Sequence, residues 1–305
     1  MTPGPRIAVA PAGERRWLAD AVVAGGGLVT DPAEAEGVVW ASTGGAADLR
    51  DLLVAHPGIR WVQLPWAGIE PFVGVLDDTH IWTCGKGVYA VPVAEHALML
   101  GLAGLRGLGV YARAPSWSGP QGENLVGAAV TILGGGGITE ELLPLLAPFG
   151  CRVTVVRRHP SPMAGADEVV GPDRLLEVLP GRRLVVLALS LTDETRGIID
   201  ADALAAMAED AWLVNVARGG HIVTGDLVAA LRAGSIGGAA LDVTDPEPLP
   251  DGHPLWGLPN CLITPHVGNT PAMAVPLLSA RIAENTRRFA AGDPLLGPVD
   301  PSLGY

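Results

Sequence analysis

The stretch that decides the fold is Ala129–Val156, which reads AVTILGGGGITEELLPLLAPFGCRVTVV. It begins and ends with short runs of mostly apolar, often β-branched side chains, and such runs are typical of strands buried on both faces. Gly134–Gly137 follow the first run and lead into an apolar segment of helical length. The stretch therefore predicts a strand, a tight turn, a helix and a second strand parallel to the first.

The glycines of this turn indicate a nucleotide site. A turn without side chains lets the backbone approach a pyrophosphate, whose charge then meets the N–H groups and positive dipole of the helix N-terminus. The alternative is an ordinary glycine-rich turn. Thr139 occupies the position of the last glycine and should push the helix slightly off the strand. Pro144 and Pro148 should also interrupt the helix.

The end of the second strand predicts which dinucleotide is bound. Sites for NAD usually place a carboxylate there, which accepts hydrogen bonds from the ribose 2′-hydroxyl. This chain has Arg157, Arg158 and His159 instead. Two guanidinium groups suit a 2′-phosphate, because they can bind it through charge-assisted hydrogen bonds. We therefore expect NAD(P) as the cofactor, with NADP(H) favoured over NAD(H); the alternative is two surface arginines that merely end a strand.

The same alternation of apolar runs and amphipathic segments extends in both directions, which is typical of parallel α/β sheets. Further strands are predicted at Arg6–Ala10, Val38–Ala41, Trp61–Gln63, Ile81–Thr83, Leu184–Ala188, Trp212–Val216, Ala239–Leu241 and Leu262–Thr264, beside Val130–Leu133 and Arg152–Val156 of the opening stretch. Helices are predicted at Glu14–Ala24, Val93–Arg106, Glu140–Phe149, Asp226–Ala233 and Ala272–Ala290.

The chain divides near its middle. An irregular stretch, Ala114–Gly122, follows the helix Val93–Arg106, and the alternation restarts after it. At roughly 150 residues per domain, a chain of 305 residues should form about two domains. We predict two doubly wound parallel-sheet domains, residues 1–95 with 271–305 and residues 96–270, with a small-molecule site in the cleft between them.

Charge and cysteine content exclude several classes of protein. Lys and Arg number 20 against 32 Asp and Glu, a net charge of −12, which disfavours nucleic acid and anionic membranes as partners. The most apolar stretch, Ala97–Leu105, is far shorter than the ~20 residues of a membrane helix. Cys84, Cys151 and Cys261 lie far apart without a CxxC pair. With no signal-peptide pattern, this predicts a cytoplasmic protein without a metal site.

Three polar segments each follow a predicted strand at its carboxyl end, the edge where open α/β sheets bind ligands. They contribute Arg218, Glu247 and His266. This set suits hydride transfer to a 2-oxo acid, since a guanidinium binds the carboxylate and polarises the carbonyl, and an imidazole supplies the proton. A carboxylate beside the imidazole would orient it and favour its protonated form. Taken singly, Arg218 could be a surface charge, Glu247 an acidic residue of a turn, and His266 a structural histidine.

The three segments resemble the N-V-x-R-G-G, D-V-x-x-x-E-P and P-H-x-G-x-T patterns of the D-isomer-specific 2-hydroxyacid dehydrogenase family. They stand in the same order, as Asn215–Gly220, Asp242–Pro248 and Pro265–Thr270, and the similarity extends from about Leu64 to about Asn285. The resemblance implies a Rossmann-type dinucleotide-binding domain plus a flavodoxin-like substrate domain. It also implies a homodimer and a D-specific oxidoreductase that transfers hydride between NAD(P)(H) and a small 2-oxo or 2-hydroxy acid.

The same resemblance assigns the site residues. It makes Arg218 the substrate-binding cation, His266 the acid and base, and Glu247 the group that tunes the histidine. Substrate binding is expected at Arg218, His266 and a loop whose backbone amides hold the carboxylate, Trp66, Ala67, Gly68 and Ile69. Because Trp66 suggests a restricted pocket, we expect a small acid such as glyoxylate or hydroxypyruvate.

The residues expected on the nucleotide side share a place at strand ends. Ser190 stands where the family usually has a proline, and Asp242 could contact the nicotinamide carboxamide or be a buried structural carboxylate. The expected set is Gly134, Gly136, Gly137, Ile138, Thr139, Arg157, Arg158, Ser190, Thr195, Val216, Ala217, Arg218, Asp242, His266 and Gly268.

Two other functions fit parts of this pattern. One is a binding module of the same fold that senses dinucleotide occupancy without turnover, against which the intact set of three catalytic residue types argues. The other is oxidation of formate, but formate dehydrogenases of this superfamily usually carry glutamine where this chain has Glu247. The expected function is therefore reduction of a 2-oxo acid.

Overall fold

The computed structural model describes residues 4–13 and 15–301. The chain forms two compact units, one from the residues up to Tyr89 and from Thr270 onward, the other from Ala90–Asn269. The strands of the described residues are β1 (Arg6–Ala10), β2 (Leu28–Val29), β3 (Gly37–Trp40), β4 (Trp61–Gln63), β5 (Ile81–Thr83), β6 (Ala129–Leu133), β7 (Arg152–Val156), β8 (Glu168–Val170), β9 (Leu184–Leu187), β10 (Trp212–Asn215), β11 (Gly238–Leu241) and β12 (Cys261–Ile263).

Helices alternate with these strands. Over the same described residues they are α1 (Arg16–Ala24), α2 (Ala46–Ala55), α3 (Ala90–Leu105), α4 (Leu108–Arg113), α5 (Gly137–Leu146), α6 (Ala201–Ala206), α7 (Thr224–Ala233), α8 (Pro254–Gly257) and α9 (Pro271–Ala291). Short 3-10 turns lie at Pro32–Glu34, Glu70–Val75, Ala147–Phe149, Pro172–Glu177 and Gly219–His221. Glu14, where the first helix was expected to begin, lies outside the described residues, as do the outermost residues of the predicted 1–95 and 271–305 domain. No helix within the described ranges combines the length and apolarity needed to cross a bilayer.

The first unit is built on one parallel sheet with the strand order β2-β1-β3-β4-β5. This is the 2-1-3-4-5 order of flavodoxin-like sheets. Its core includes the buried side chains of Trp40, Phe72 and Trp82. The C-terminal helix α9 returns the chain to this unit and packs against α1, so that the unit is assembled from both ends of the sequence.

The second unit is built on a parallel sheet with the order β12-β11-β10-β9-β6-β7-β8. The order reverses direction between β6 and β9, as in dinucleotide-binding Rossmann sheets. Alternate residues of β9 enter two cores, Val185 and Leu187 on one face and Leu184 and Val186 on the other. The predicted fold class, two doubly wound parallel α/β sheets, is thus confirmed.

The strands predicted from sequence are all present, with bounds that differ by at most one residue. The strands Leu28–Val29 and Glu168–Val170 and the helix Ala46–Ala55 were not predicted. Both strands lie at sheet edges. A strand at an edge can be short and partly exposed, so its sequence need not contain a long apolar run. The helix buries only Leu49 and Leu53, so its apolar stripe is narrow.

One expectation for the opening stretch was wrong. Helix α5 continues through Pro144 and ends only before the 3-10 turn that contains Pro148. Pro144 removes the hydrogen bond to the carbonyl of Glu140, which is exposed, so water can satisfy that carbonyl. Thr139, which was expected to push the helix slightly off the strand, is fully buried, and its hydroxyl donates to the carbonyl of Gly134 (2.7 Å). The side chain therefore ties the first helical turn to the end of β6.

Candidate active site

The glycine turn between β6 and α5 presents backbone to open space. Gly134 has a φ of +109°, and a Cβ there would lie 2.2 Å from the carbonyl oxygen of Ala188, so that only glycine fits. A Cβ on Gly136, the residue before α5, would meet nothing within 4 Å, and no side chain caps the helix. The half-buried Gly137 and Ile138 begin the helix. The turn and uncapped N-terminus thus fit the pyrophosphate of a dinucleotide.

Arg157 and Arg158 follow β7 with different contacts. The Arg157 side chain lies over the turn, since a Cβ on Gly135 would come within 2.8 Å of its Cδ. Arg158 donates from Nη2 to Glu194 Oε2 (2.6 Å), in an ion pair of exposed side chains. This pairing was not predicted. Arg158 is thus already paired with a carboxylate at the end of β7.

The segment that contains Ser190 and Thr195 is held by a buried histidine. Thr195 Oγ1 donates to the carbonyl of Ser190 (2.8 Å) and accepts from the N–H of Thr192 (2.8 Å). The ring of His221 is buried, with Nδ1 3.1 Å from the carbonyl of Thr195 and Nε2 3.2 Å from that of Leu189. Burial lowers the pKa of His221, which favours the neutral ring, and a neutral ring can donate to only one of these two carbonyls.

Arg218 is positioned by the buried Asn215 at the end of β10. The Asn215 side chain donates to the carbonyl of Arg218 (2.9 Å) and accepts from the N–H of Ala217 (3.0 Å). The guanidinium of Arg218 is half-buried, and its Nη1 donates to the carbonyl of Ala217 (2.8 Å). A Cβ on Gly219 would lie 2.0 Å from the carbonyl carbon of Thr244. Glycine at that position therefore lets the arginine loop approach the loop that follows β11.

His266 and Glu247 are in direct contact beyond β11 and β12. The distance from His266 Nδ1 to Glu247 Oε1 is 2.6 Å, and the side chains are 52% and 40% exposed. His266 has a φ of +53° and is the only non-glycine residue with a positive φ between residues 4 and 301, Glu14 excepted. Such a conformation is costly for a residue with a side chain. Nδ1 of His266 contacts the carboxylate of Glu247. Nε2 is therefore the ring nitrogen that can contact a substrate.

Asp242 holds the backbone around His266. Its Oδ1 accepts from Thr264 Oγ1 (2.6 Å) and the N–H of Val267 (2.9 Å), and its Oδ2 accepts from the N–H of Gly268 (2.9 Å). The carbonyl of Asp242 also accepts from the N–H of His266 (2.8 Å). The carboxylate is 4% exposed. Its contacts in this structure are those of a positioning group for the histidine loop.

A half-buried histidine on α3 completes this network. His96 Nε2 lies 3.2 Å from Asp242 Oδ1 and 3.0 Å from Thr264 Oγ1. Burial alone would raise the pKa of Asp242, but the hydrogen bonds from His96, Thr264 and the two backbone N–H groups lower it to about 2. The carboxylate is therefore ionised throughout the neutral range. Thr264 and Asn215 were not predicted as part of the site, although both stand at strand ends and could have been found there.

The remaining nucleotide-side residues differ in how accessible they are. Buried positions are Thr139, Val216, Ala217, Asp242 and Gly268. Half-buried positions are Gly134, Gly137, Ile138, Arg157, Thr195 and Arg218. Exposed positions are Gly136, Arg158, Ser190 and His266.

The predicted substrate loop, Trp66–Ile69, belongs to the first unit and follows β4. The carbonyl of Trp66 accepts from the N–H of Gly85 (2.8 Å), and Ile69 is buried. The N–H groups of Ala67 and Gly68 donate to no residue of the described ranges. They are therefore available to an anion.

Comparison with known proteins identifies the family. The model of the D-isomer specific 2-hydroxyacid dehydrogenase family, NAD binding domain, matches residues 97–268. The chain belongs to this family. It is an NAD(P)-dependent oxidoreductase, and the matched residues are the dinucleotide-binding domain of the dehydrogenase.

Individual proteins similar to this dehydrogenase include two relatives and one solved structure. A protein of Corynebacterium melassecola, described as uncharacterized and encoded in the proB 3′ region, is 40% identical over 295 residues, 93% of this chain and 95% of its own length. Glyoxylate/hydroxypyruvate reductase A of Serratia proteamaculans is 37% identical over 177 residues, 58% of this chain and 56% of the reductase. A D-isomer specific 2-hydroxyacid dehydrogenase from Xanthobacter autotrophicus Py2, in complex with NADPH and MES, matches with a TM-score of 0.85 and 29% identity over 100% of both chains.

Proposed function

We propose that this dehydrogenase reduces a small 2-oxo acid of the glyoxylate or hydroxypyruvate type with NADPH, giving the D-isomer where the product is chiral. The contact that carries the proposal is the 2.6 Å pair of His266 and Glu247 at the carboxyl edge of the nucleotide-binding sheet. The Serratia relative that aligns with this chain is a glyoxylate/hydroxypyruvate reductase. Its name favours turnover over the alternative of a sensing module.

His266 is the acid of the reduction in this proposal. When bound, the cofactor supplies the hydride that adds to C2 of the substrate. The carbonyl oxygen takes the proton from Nε2 of His266 as its negative charge develops, and Glu247 stabilises the imidazolium from which that proton leaves. Solvent then returns the proton, because both side chains are about half exposed.

Arg218 provides the fixed positive charge. Its guanidinium keeps its charge at every working pH, and its planar donors match a carboxylate and the neighbouring carbonyl oxygen. The hydrogen bonds of the Asn215 side chain fix the backbone at Ala217 and Arg218. They thereby set the position of the Arg218 side chain. We assign the N–H groups of Ala67 and Gly68 to the substrate carboxylate.

NADP(H) is proposed as the preferred nucleotide. The observation in favour is the place of Arg157, whose side chain lies over Gly135 in the glycine turn, with Arg158 next to it at the end of β7. The structure from Xanthobacter autotrophicus Py2 contains NADPH.

Three broader assignments belong to the same proposal. The unit Ala90–Asn269 holds the nucleotide, and the other unit binds the substrate. We place the protein in the cytoplasm, which agrees with three free cysteines. It acts as a homodimer: the indole of Trp117 is fully exposed on the irregular stretch after α4, and a large exposed aromatic ring suits an interface. Light scattering of the wild type and of Trp117→Ser tests that assignment.

Steady-state kinetics with NADPH, glyoxylate and hydroxypyruvate test the function. We expect turnover of both acids, and a loss in kcat of about 10²–10⁴-fold in His266→Gln, the range typical of a general acid. His56→Gln, in the first unit, is the matched control and should keep wild-type kcat. Tight NADPH binding without turnover of either acid would favour the sensing module, and His266→Gln with more than about a tenth of wild-type kcat would overturn the acid assignment.

A further inference from the structure

Two buried polar atoms next to the predicted substrate loop have no hydrogen-bond partner. They are Arg15 Nη1 and the hydroxyl of Tyr89, both in the first unit. Only four side-chain atoms of the described residues are buried without a partner, and the other two belong to Thr30 and Asn269. An unpaired buried donor is costly, so each such group calls for a partner that the protein itself does not provide.

Both side chains adjoin the indole of Trp66. The Arg15 guanidinium lies over the Trp66 ring, with Cζ 4.9 Å from its centroid. The ring centroids of Trp66 and Tyr89 are 6.2 Å apart and the rings are tilted by 51°. Tyr89 as a whole is only 9% exposed. One aromatic ring of the substrate loop thus has an arginine and a tyrosine as neighbours.

The groups gathered here are donors, and their charge is positive. Nη1 of Arg15 has no hydrogen-bond partner among the described residues. Burial raises the pKa of Tyr89, although the nearby Arg15 and Arg281 oppose that rise, so the hydroxyl is protonated and can donate. Arg281 already donates to the carbonyl of Lys86 (3.1 Å). Arg15 is therefore the cation that can take an anionic group.

We propose that Arg15 and Tyr89 bind a second acidic group of the substrate. The selected substrates would then be 2-oxo acids that carry a carboxylate or a phosphate at the end distant from the reacting carbonyl. This inference rests on the proposed function, because it assigns the first acidic group to the N–H groups of Ala67 and Gly68. Access of the acid to the guanidinium requires movement of the Trp66 ring, which lies over it.

Matched pairs of 2-oxo acids test the proposal by kinetics. Oxaloacetate and 2-oxobutyrate have four carbons each, as 2-oxoglutarate and 2-oxovalerate have five, and only the first of each pair has a second carboxylate. We expect kcat/KM about tenfold to a hundredfold higher for the acidic member of at least one pair, the range of a hydrogen bond to a charged group. 3-Phosphohydroxypyruvate against hydroxypyruvate tests a phosphate in the same way.

The variants separate this role from a structural one. Arg15→Gln should abolish the preference for the acidic member while sparing kcat/KM for glyoxylate, and Arg15→Lys should restore part of it. Arg16→Gln is the matched control, since Arg16 is the exposed neighbour on α1, and should keep the preference. Tyr89→Phe should reduce it by a few fold. Equal use of both members of every pair, or an equal loss for glyoxylate in Arg15→Gln, would overturn the proposal while leaving 2-oxo acid reduction intact.

Calorimetry gives a readout that does not need turnover. Succinate should bind to the protein–NADP complex with an affinity that falls at least about tenfold in Arg15→Gln but not in Arg16→Gln. Butyrate, with one carboxylate, should bind equally to all three proteins. If no 2-oxo acid is reduced, the proposed function fails, yet succinate binding that depends on Arg15 would still support the acidic subsite. Binding of succinate that ignores Arg15 would contradict it.

Discussion

At the scale of single residues, the exposed side chains of the site are oriented by buried ones. Asn215 is fully buried and fixes the backbone of Arg218, and Asp242 does the same for the backbone beside His266. The exposed groups must reach a substrate, whereas the buried ones need only hold their neighbours. Changes at the buried positions should therefore impair activity without removing a reacting group.

The substitution Asp242→Asn tests this expectation most directly. An asparagine side chain offers one oxygen as acceptor, so it cannot accept from the N–H groups of both Val267 and Gly268 as the carboxylate does. His266 then loses part of the support for its positive φ. We expect kcat to fall about tenfold to a hundredfold, as typical for loss of hydrogen bonds to a charged group. Asp245→Asn, an exposed neighbour, should leave kcat unchanged.

The same substitution should change acid unfolding. In the folded protein the pKa of Asp242 is about 2, below its ordinary value of 3.8. The stability that Asp242 contributes is therefore present above pH 3.8 and lost as the pH falls towards 2. Between these values, the free energy of unfolding should fall less steeply with decreasing pH in Asp242→Asn than in the wild type. Parallel curves would show that the carboxylate is not held in this way.

The sequence predicts the three residues that we propose for catalysis, but not all of the groups that hold them. Arg218, Glu247 and His266 each follow a strand within a specific motif, and the structure joins two of them directly. The contact of His96 with Asp242 spans most of a domain in sequence, and no local pattern encodes it. Arg15 also follows a strand end, that of β1, but its orphaned nitrogen is visible only after folding.

At the scale of elements, burial on both faces made the central strands predictable. The edge strands β2 and β8 were not predicted, although the edge strands β5 and β12 were. The pair Leu28–Val29 is only two residues long and both are exposed, so it has no apolar run to indicate a strand. The passage of α5 through Pro144 was missed for a different reason. The cost of a proline depends on whether the carbonyl one turn earlier can reach water, and that is a property of the folded surface.

The loop that follows β9 depends on His221 for its shape. Burial lowers the pKa of this histidine from 6.5, so the folded state favours the neutral ring. The stability it contributes is therefore present above pH 6.5 and is lost as the pH falls below that value. We expect the melting temperature to drop more between pH 8 and pH 5.5 in the wild type than in His221→Gln.

A substitution at a second histidine is the control for the melting experiment on His221. His159→Gln changes an exposed histidine and should retain the wild-type difference in melting temperature. If His221→Gln and the wild type lose equal amounts between the two pH values, the neutral buried ring does not govern the pH dependence of stability.

At the scale of the whole molecule, the chain leaves the first unit after Tyr89 and returns to it at Thr270. The return is secured by Asn285 on α9, which is fully buried. Its side chain donates to Gln63 Oε1 (3.0 Å) and the carbonyl of Leu296 (3.0 Å), and it accepts from the N–H of Leu296 (2.8 Å). One amide thus joins the central sheet, the last helix and the segment that follows it. In the sequence, Asn285 is a polar residue within a helix, and nothing around it indicates that its side chain would join these three segments.

Asn285→Ala should therefore destabilise the first unit. It removes three buried hydrogen bonds and leaves the N–H and carbonyl of Leu296 without these partners, while Gln63 Oε1 keeps its hydrogen bond from Thr83 (2.9 Å); we expect a loss of about 2–3 kcal/mol in the free energy of unfolding. Urea titration followed by circular dichroism measures this difference. Arg287→Gln, on the exposed side of α9, should change it by less than about 0.5 kcal/mol. Because Asn285 lies outside the residues 97–268 that match the NAD binding domain, NADPH affinity should be unchanged. A loss of stability no larger than that of Arg287→Gln would mean that the tail is held by apolar packing alone.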